Sequence, residues 1–500
     1  MKNMRRSILI LGLALIILLP RVFDLGAFMT ADEKVWLANT TGFTRNLALL
    51  KWDKLLQQPH PGITATWLGS LAIHANTLAA RKLPLVLGQS VLLGFIGYIF
   101  YRLWSPQGDT RRSFSEGGWG AILLTLLLAL NPPLVAHTRV YAMDALLAQF
   151  LLLSLGCLLL WRQTYTARYL IYAGAAGALA VLSKLPGLII IPFSLAYIFY
   201  AAGLPREALP AGGAKWGVWS LAFILTLIIV FPSLALNFNE VMHLTKEFLL
   251  EGDAQDVHGP VRASYYLETL LFFSTPLHLI ALAALPFVWP RMKNKEHVVV
   301  LLAFAALFTG QMALGAKQGD RYILPVFLAL DAFAVLVFFA LSAQLKNKRI
   351  VLLTTHYSLL TLFVWQTIDV TRLHPHALAY VNPITKPLYG ERRLGWGEGL
   401  DVAAEYLNQK PFASSLKVAA PFPAEFGYKF TGEVIPLNHY EAGNVDYVVL
   451  YRSLFERGQD SWEAAVLRQF AERIPEKIFQ LNGLPYVWLY REDTAPGEST

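Results

Sequence analysis

Two adjacent carboxylates, Asp32 and Glu33, lie about nine residues beyond the first apolar run of the chain. Neighbouring side chains leave a helix or strand in different directions, so the two need not share a role. One can act as a general base near a membrane surface while the other holds a cation or orients a neighbour. The same spacing also fits a helix start, with Thr30 as the cap and both acids in the first turn, facing the positive end of the helix dipole. Cationic and polar groups recur farther along. His60 sits in Gln58-Pro59-His60-Pro61-Gly62, Arg139 follows Asn131-Pro132-Pro133, and Lys184 occupies a tight turn between two apolar runs. Arg262 with Tyr265 and Tyr266, and Lys317 with Arg321 and Tyr322, each precede a further apolar run. Singly, each fits a headgroup-level anchor. Together they can surround a negatively charged group, and a lipid phosphate has the right charge and depth.

Asp144 and Asp331 fall inside apolar runs, where an acid at the bilayer centre costs about 2.5–3.5 kcal/mol on insertion. Asp144 is expected either to pair with Arg139 or to line the same cavity. Asp331 is expected nearer the cytoplasmic half and partly wet. Several other chemistries lack their residues. The chain has no Walker loop, no Gly-x-Ser-x-Gly, no His-Glu-x-x-His and no paired-cysteine motif. Gly395-Trp396-Gly397-Glu398-Gly399 is glycine-rich but follows no strand of a dinucleotide fold, and it reads as a turn and helix start. A nucleotide-dependent reaction therefore has no visible site, whereas a reaction that uses an already activated, membrane-anchored donor needs none. No ligand cluster demands a metal.

The elements that must position these groups are membrane spans. Of 500 residues, 55% are hydrophobic and 15% charged, a balance that excludes one ordinary soluble domain and excludes disorder. The lone cysteine, Cys157, can form no intrachain disulfide. The net charge of +8 comes from short basic clusters between apolar runs, which points to topology rather than to a nucleic-acid partner. Eleven candidate spans can be drawn, among them Trp119–Ala136, Leu267–Val288, Tyr322–Leu341 and Ile350–Ile368. Basic clusters fall on every second loop. The positive-inside rule then puts the amino terminus in the cytoplasm and places the loops carrying the candidate residues, with the carboxyl-terminal segment, outside.

The long first outer loop, Asp24–Lys82, carries Phe43, Leu47 and Leu50, then Trp67, Leu71 and Leu78, at helical spacing. These fit two amphipathic helices, lying in the membrane interface or packed against the spans. Residues 1–370 thus form an all-α polytopic membrane domain. Residues 371–500 form a small extracytoplasmic α/β domain, with helices expected over Glu398–Asn408 and Trp462–Phe470. Strands are expected over Leu416–Ala420, Tyr447–Tyr451 and Tyr486–Tyr490.

Over about residues 1–370 the sequence resembles the polytopic C-type glycosyltransferases, in particular glycosyltransferase family 39, with its protein O-mannosyltransferases and lipid A aminoarabinose transferases. The resemblance is carried by Ala31-Asp32-Glu33, His60-Pro61, Asn131-Pro132-Pro133 with Arg139 and Asp144, Leu182-Ser183-Lys184 with Gly187, and Lys317, Arg321-Tyr322 and Leu324-Pro325. The segment Gln58–Gly62 stands where a His-Pro-Pro or Lys-Pro-Pro run is more usual. Tyr380-Val381-Asn382-Pro383 and Gly395–Leu400 resemble the opening of the soluble domain in bacterial relatives.

The resemblance implies inverting transfer of a sugar from a polyprenyl-phosphate donor to an acceptor hydroxyl on a protein, a glycolipid or a cell-wall glycan. It implies that Asp32 is the base, and that Glu33 supports it or contacts acceptor or metal. His60, Arg139, Lys184, Lys317 and Arg321 would bind the donor phosphate, with Tyr265, Tyr322 and Asp144 lining the cavity. Metal dependence varies among relatives, so a divalent cation is compatible with this reading. The compact loops suggest a bacterial plasma membrane. The rival readings are a secondary transporter or lipid-linked-sugar flippase, and a membrane protein that only binds cell-wall material. Paired halves with helices broken at matching places, a feature of many transporters, are not visible.

Overall fold

The computed structural model describes residues 2–58, 61–105, 116–203, 209–247, 262, 264–315, 317–344, 361, 363–389, 395–456 and 462–492. Among them, six helices are long and apolar enough to cross a membrane: Leu78–Trp104, Asp144–Thr164, Leu185–Ala202, Pro210–Val230, Lys295–Ala313 and Asp320–Ala343. The number rises to eight if two sharply bent pairs each count as one span, and two shorter apolar helices, Ser7–Val22 and Ala167–Ser183, accompany them. The first ten sequence candidates each fall on one of these helices or pairs. The eleventh, Ile350–Ile368, lies largely outside the described residues. The chain is a multi-pass membrane protein, while the count of eleven is not reproduced by length and composition alone.

Asp144–Thr164 and Leu324–Gln344 run through the middle of the bundle, with nearly every side chain of the first buried. Helix Ala167–Ser183 packs close because its inner face is small. A Cβ added at Gly174 would lie 2.4 Å from the carbonyl oxygen of Trp219, which is the close-approach logic of helix pairs in membranes.

The two bends replace what sequence alone reads as straight spans or loop. Gly118–Leu130 turns by 60° into Pro132–Thr138, and Tyr265–Phe273 turns by 106° into Pro276–Arg291. Prolines at the start of each second helix explain the breaks, since proline donates no backbone hydrogen bond and suits a first helical turn. One buried carboxylate ties both together. Asp331 accepts from Asn131 Nδ2 at 2.9 Å and pairs with His278 Nε2 at 2.8 Å. Asn131 Oδ1 caps Leu134 N–H at 3.0 Å, and His278 Nδ1 accepts from Thr275 N–H at 3.2 Å. Since Nδ1 is an acceptor, the His278 proton resides on Nε2 and is donated to Asp331. Asp331 is therefore not partly wet, as its sequence position suggests. It is fully buried and satisfied, which removes most of the cost of an acid in the bundle.

In the long first loop, helices Glu33–Ala48 and Ile63–Ser70 hold Phe43, Leu47 and Trp67 of the expected apolar faces, whereas Leu50 and Leu71 fall beyond the helix ends and are exposed, and Leu78 opens the next span. Phe43, Leu55 and Ile63 pack against Leu182 and Phe231, and Trp67 Nε1 donates to the Val230 carbonyl at 2.8 Å. The amphipathic faces thus lie on the ends of the spans.

The carboxyl-terminal domain holds strands β1 (Lys417–Ala420), β2 (Glu433–Pro436), β3 (Tyr447–Tyr451), β4 (Lys477–Leu481) and β5 (Leu484–Arg491) in the order β2-β1-β3-β5-β4. β2, β1 and β3 are parallel, while β5 is antiparallel to β3 and β4. β3 is buried along its whole length, as its unbroken apolar run requires. Helices Leu400–Asn408 and Trp462–Phe470 match the expectation closely. β2 and β4 were not expected; they are the edge strands and are largely unburied, so neither shows a long apolar run. The segment Tyr380–Pro383 docks the domain: Asn382 N–H donates to Phe272 O at 2.7 Å and its Nδ2 to Ser274 O at 2.8 Å, capping the broken helix end.

Candidate active site at the ends of the spans

Asp32 is the residue preceding the helix Glu33–Ala48 and makes no side-chain cap, so its carboxylate is free to face outward; the side chain is 42% exposed. Arg321 Nη2 donates to Asp32 Oδ2 at 2.9 Å across 289 positions of sequence. Arg321 is placed by the short turn Asp320–Ile323 that opens the helix Leu324–Gln344. Lys184 approaches from another element. It ends the helix Ala167–Ser183, its ammonium lies 4.2 Å from the centre of the Tyr322 ring, and it pairs with Asp144 Oδ1 at 2.7 Å. The Arg321 guanidinium lies 5.5 Å from the same ring. Asp32, Arg321, Tyr322, Lys184 and Asp144 thus form one continuous polar strip. Asp144 opens its own helix, and it pairs with Lys184 rather than with Arg139.

Glu33 has a different setting. It is fully buried, with Oε1 2.7 Å from Lys82 Nζ and 2.6 Å from Tyr141 N, and Oε2 2.8 Å from Thr30 N. Both oxygens accept from buried donors, so Glu33 holds the Asp32 turn in place. The helix-start reading of the pair therefore fits Glu33, whose carboxylate reaches back to Thr30, although Asp32 is the residue at the cap position.

Arg139 also departs from the phosphate role that the resemblance implies. Its guanidinium donates to the carbonyls of Pro20 at 2.9 Å, Phe23 at 2.6 Å and Asp24 at 2.9 Å, ending the first helix. A helix carboxyl end offers unpaired carbonyls and partial negative charge, and an arginine answers both. Tyr265 OH donates to Asp320 Oδ1 at 2.8 Å, one residue before Arg321. Lys317 is partly buried on the same segment. His60 lies outside the described residues. Among the described residues, no group of three or more His, Cys, Asp or Glu is placed to hold a metal ion.

Two residues of this region were passed over in the sequence. The His137 Nδ1 is buried without a hydrogen-bond partner, and its ring lies 6.1 Å from that of Trp396. Trp396 comes from the soluble domain, and its ring centre is 3.9 Å from the Arg321 guanidinium carbon. Its carbonyl accepts from Ala31 N–H at 3.1 Å, next to Asp32. The soluble domain therefore borders the Asp32 site directly. A second bridge joins Lys34 Nζ to Glu425 Oε1 at 3.7 Å, and Tyr428 OH donates to Gly26 O at 3.1 Å. Burial raises the Glu425 carboxyl above its ordinary range, with Lys34 acting in the opposite direction. Only Trp396 had a signal, an aromatic flanked by glycines. His137 had none, because a lone histidine in an apolar stretch is uninformative.

No protein-family model matches the sequence, and no curated protein matches it. Among solved structures, ArnT from Cupriavidus metallidurans in the apo state matches with a TM-score of 0.52 at 11% identity, over 99% of this chain and 100% of that one. The same protein bound to undecaprenyl phosphate matches with a TM-score of 0.51 at 11% identity, over 100% of both chains. At such identity the likeness speaks for architecture, and it extends through both the helical bundle and the carboxyl-terminal domain. The chain has the fold of ArnT, the polytopic C-type glycosyltransferase fold with a carboxyl-terminal soluble domain.

Proposed function

We propose that the protein is an integral-membrane glycosyltransferase. It moves a sugar from a polyprenyl-phosphate donor to an acceptor hydroxyl at the outer face of a bacterial plasma membrane, with its amino terminus in the cytoplasm. The observation that carries this reading is the contact of Asp32 with Arg321, where the spans meet the soluble domain. ArnT, with the same fold, has been solved with undecaprenyl phosphate bound, which supports a lipid phosphate as the ligand.

In the proposed reaction Asp32 accepts the proton of the acceptor hydroxyl as its oxygen attacks the anomeric carbon. The bond from that carbon to the phosphate oxygen breaks on the opposite face, so configuration inverts. The electron pair leaves on the lipid phosphate, whose charge Arg321 and Lys184 stabilise. In the resting protein Arg321 and Asp32 neutralise each other. A donor phosphate would compete for the guanidinium and release the carboxylate, which favours donor binding before acceptor binding. Lys184 likewise starts paired, with Asp144.

The test is incubation of the purified protein with a panel of polyprenyl-phosphate sugars and hydroxyl acceptors. Turnover by the wild type and its loss in Asp32→Asn are expected. A wild-type protein that turns over no such donor, or that carries the intact lipid-linked sugar across vesicles without transferring it, would overturn the reading in favour of a carrier.

A further inference from the structure

We infer that Trp396 is a positioning residue of the donor site. Through its indole the soluble domain fixes the Arg321 guanidinium for the phosphate of the lipid-linked sugar; the inference rests on the proposed function above.

Arg321 is held on one side by Asp32 at 2.9 Å and on the other by the Trp396 ring at 3.9 Å. Once a phosphate draws Arg321 away from Asp32, the ring remains as its support. An indole face is the best aromatic partner for a guanidinium. The ring is itself locked from the soluble domain. Trp396 N–H donates to Glu398 Oε2 at 2.7 Å, Gly397 N–H donates to Tyr451 OH at 2.8 Å, and Tyr451 OH donates to Glu398 O at 3.2 Å. Glu398 and Tyr451 are both buried, and Tyr451 belongs to the central strand β3. Hydrogen bonds therefore run from the soluble sheet to the Trp396 backbone, and the ring contact carries the link on to the Arg321 guanidinium. The link from this loop to Ala31 is a backbone hydrogen bond, so a change of side chain at 396 removes the ring and leaves the attachment.

The experiment uses the full-length protein in lipid nanodiscs. It measures binding of undecaprenyl phosphate, which requires no turnover, together with the steady-state constants for a competent donor. Trp396→Ala is expected to weaken undecaprenyl phosphate binding and raise the donor KM by about tenfold, with the acceptor KM and the melting temperature unchanged. Trp396→Phe, which keeps an aromatic face, is expected to recover most of the loss. In an Arg321→Ala background the same tryptophan change should have no further effect, because the ring acts through the guanidinium. Equal losses in the wild-type and Arg321→Ala backgrounds, or no recovery with phenylalanine, overturn the proposal while leaving the transferase reading intact. A wild-type protein that binds no polyprenyl phosphate overturns both.

Discussion

At the scale of single residues, the adjacent acids have separate duties that their spacing left open. Asp32 is partly exposed and touches Arg321, whereas Glu33 is sealed among Lys82, Thr30 and Tyr141. Substitutions should separate them. Asp32→Asn keeps the shape and removes the base, so kcat should fall by about 10²–10⁴-fold with little change in melting temperature. Lys82→Met leaves the Glu33 carboxylate buried without its cation, and loss of one partner of a buried pair costs about 3–5 kcal/mol. That variant should melt well below wild type in detergent, and its activity loss should follow the loss of folded protein. Arg139 teaches a related lesson. In sequence it belongs with the other outer cations, yet the carbonyls at the end of the first helix compete for it locally.

At the scale of elements, the seam between the Asp32 turn and the soluble domain invites two tests. Gly397 has φ +110, a conformation side chains avoid, and a Cβ there would lie 3.2 Å from Met29 O. Gly397→Ala should cost about 1–3 kcal/mol in strain and loosen the Trp396 loop, read as faster proteolysis of the seam and a raised donor KM. Glu425 supplies a pH dependence. Burial raises its folded pKa above the unfolded value, so the folded state binds the proton more tightly. Its contribution to stability is therefore fully favourable below the unfolded pKa, near 4.3, and declines as pH rises toward the folded value. Glu425→Gln removes the charge, so the variant should melt higher than wild type at pH 7.5, with the gain disappearing near pH 4. A gain that persists at pH 4 would show that ionisation of Glu425 is not its source.

At the scale of the whole molecule, the prediction concerns sidedness. Cys157 is buried and is the only cysteine, so single reporter thiols can be introduced without background. Ile474→Cys, on the exposed surface of the soluble domain, should react with a membrane-impermeant maleimide in intact cells. Lys293→Cys, exposed on a basic loop, should react only after permeabilisation. Labelling of both, or of neither, in intact cells would contradict the orientation read from loop charge.

The sequence by itself determined the class of the molecule. Apolar runs of bilayer length and alternating basic loops leave few arrangements other than a multi-pass bundle, and period-two and period-3.6 patterns marked the main elements of the outer domain. It also picked out Asp32, Lys184, Tyr322 and Arg321, by their place at span ends and by the ordered motifs that carry the resemblance. Only the tertiary structure decided who pairs with whom. Asp144 chose Lys184, Asp331 chose Asn131 and His278, and Arg139 turned to the first helix. These partners lie tens to hundreds of positions apart, and local periodicity carries no information across such distances. The two bent helices were hidden for the same reason: the prolines permit a break, but a buried carboxylate 200 positions from Asn131 holds it.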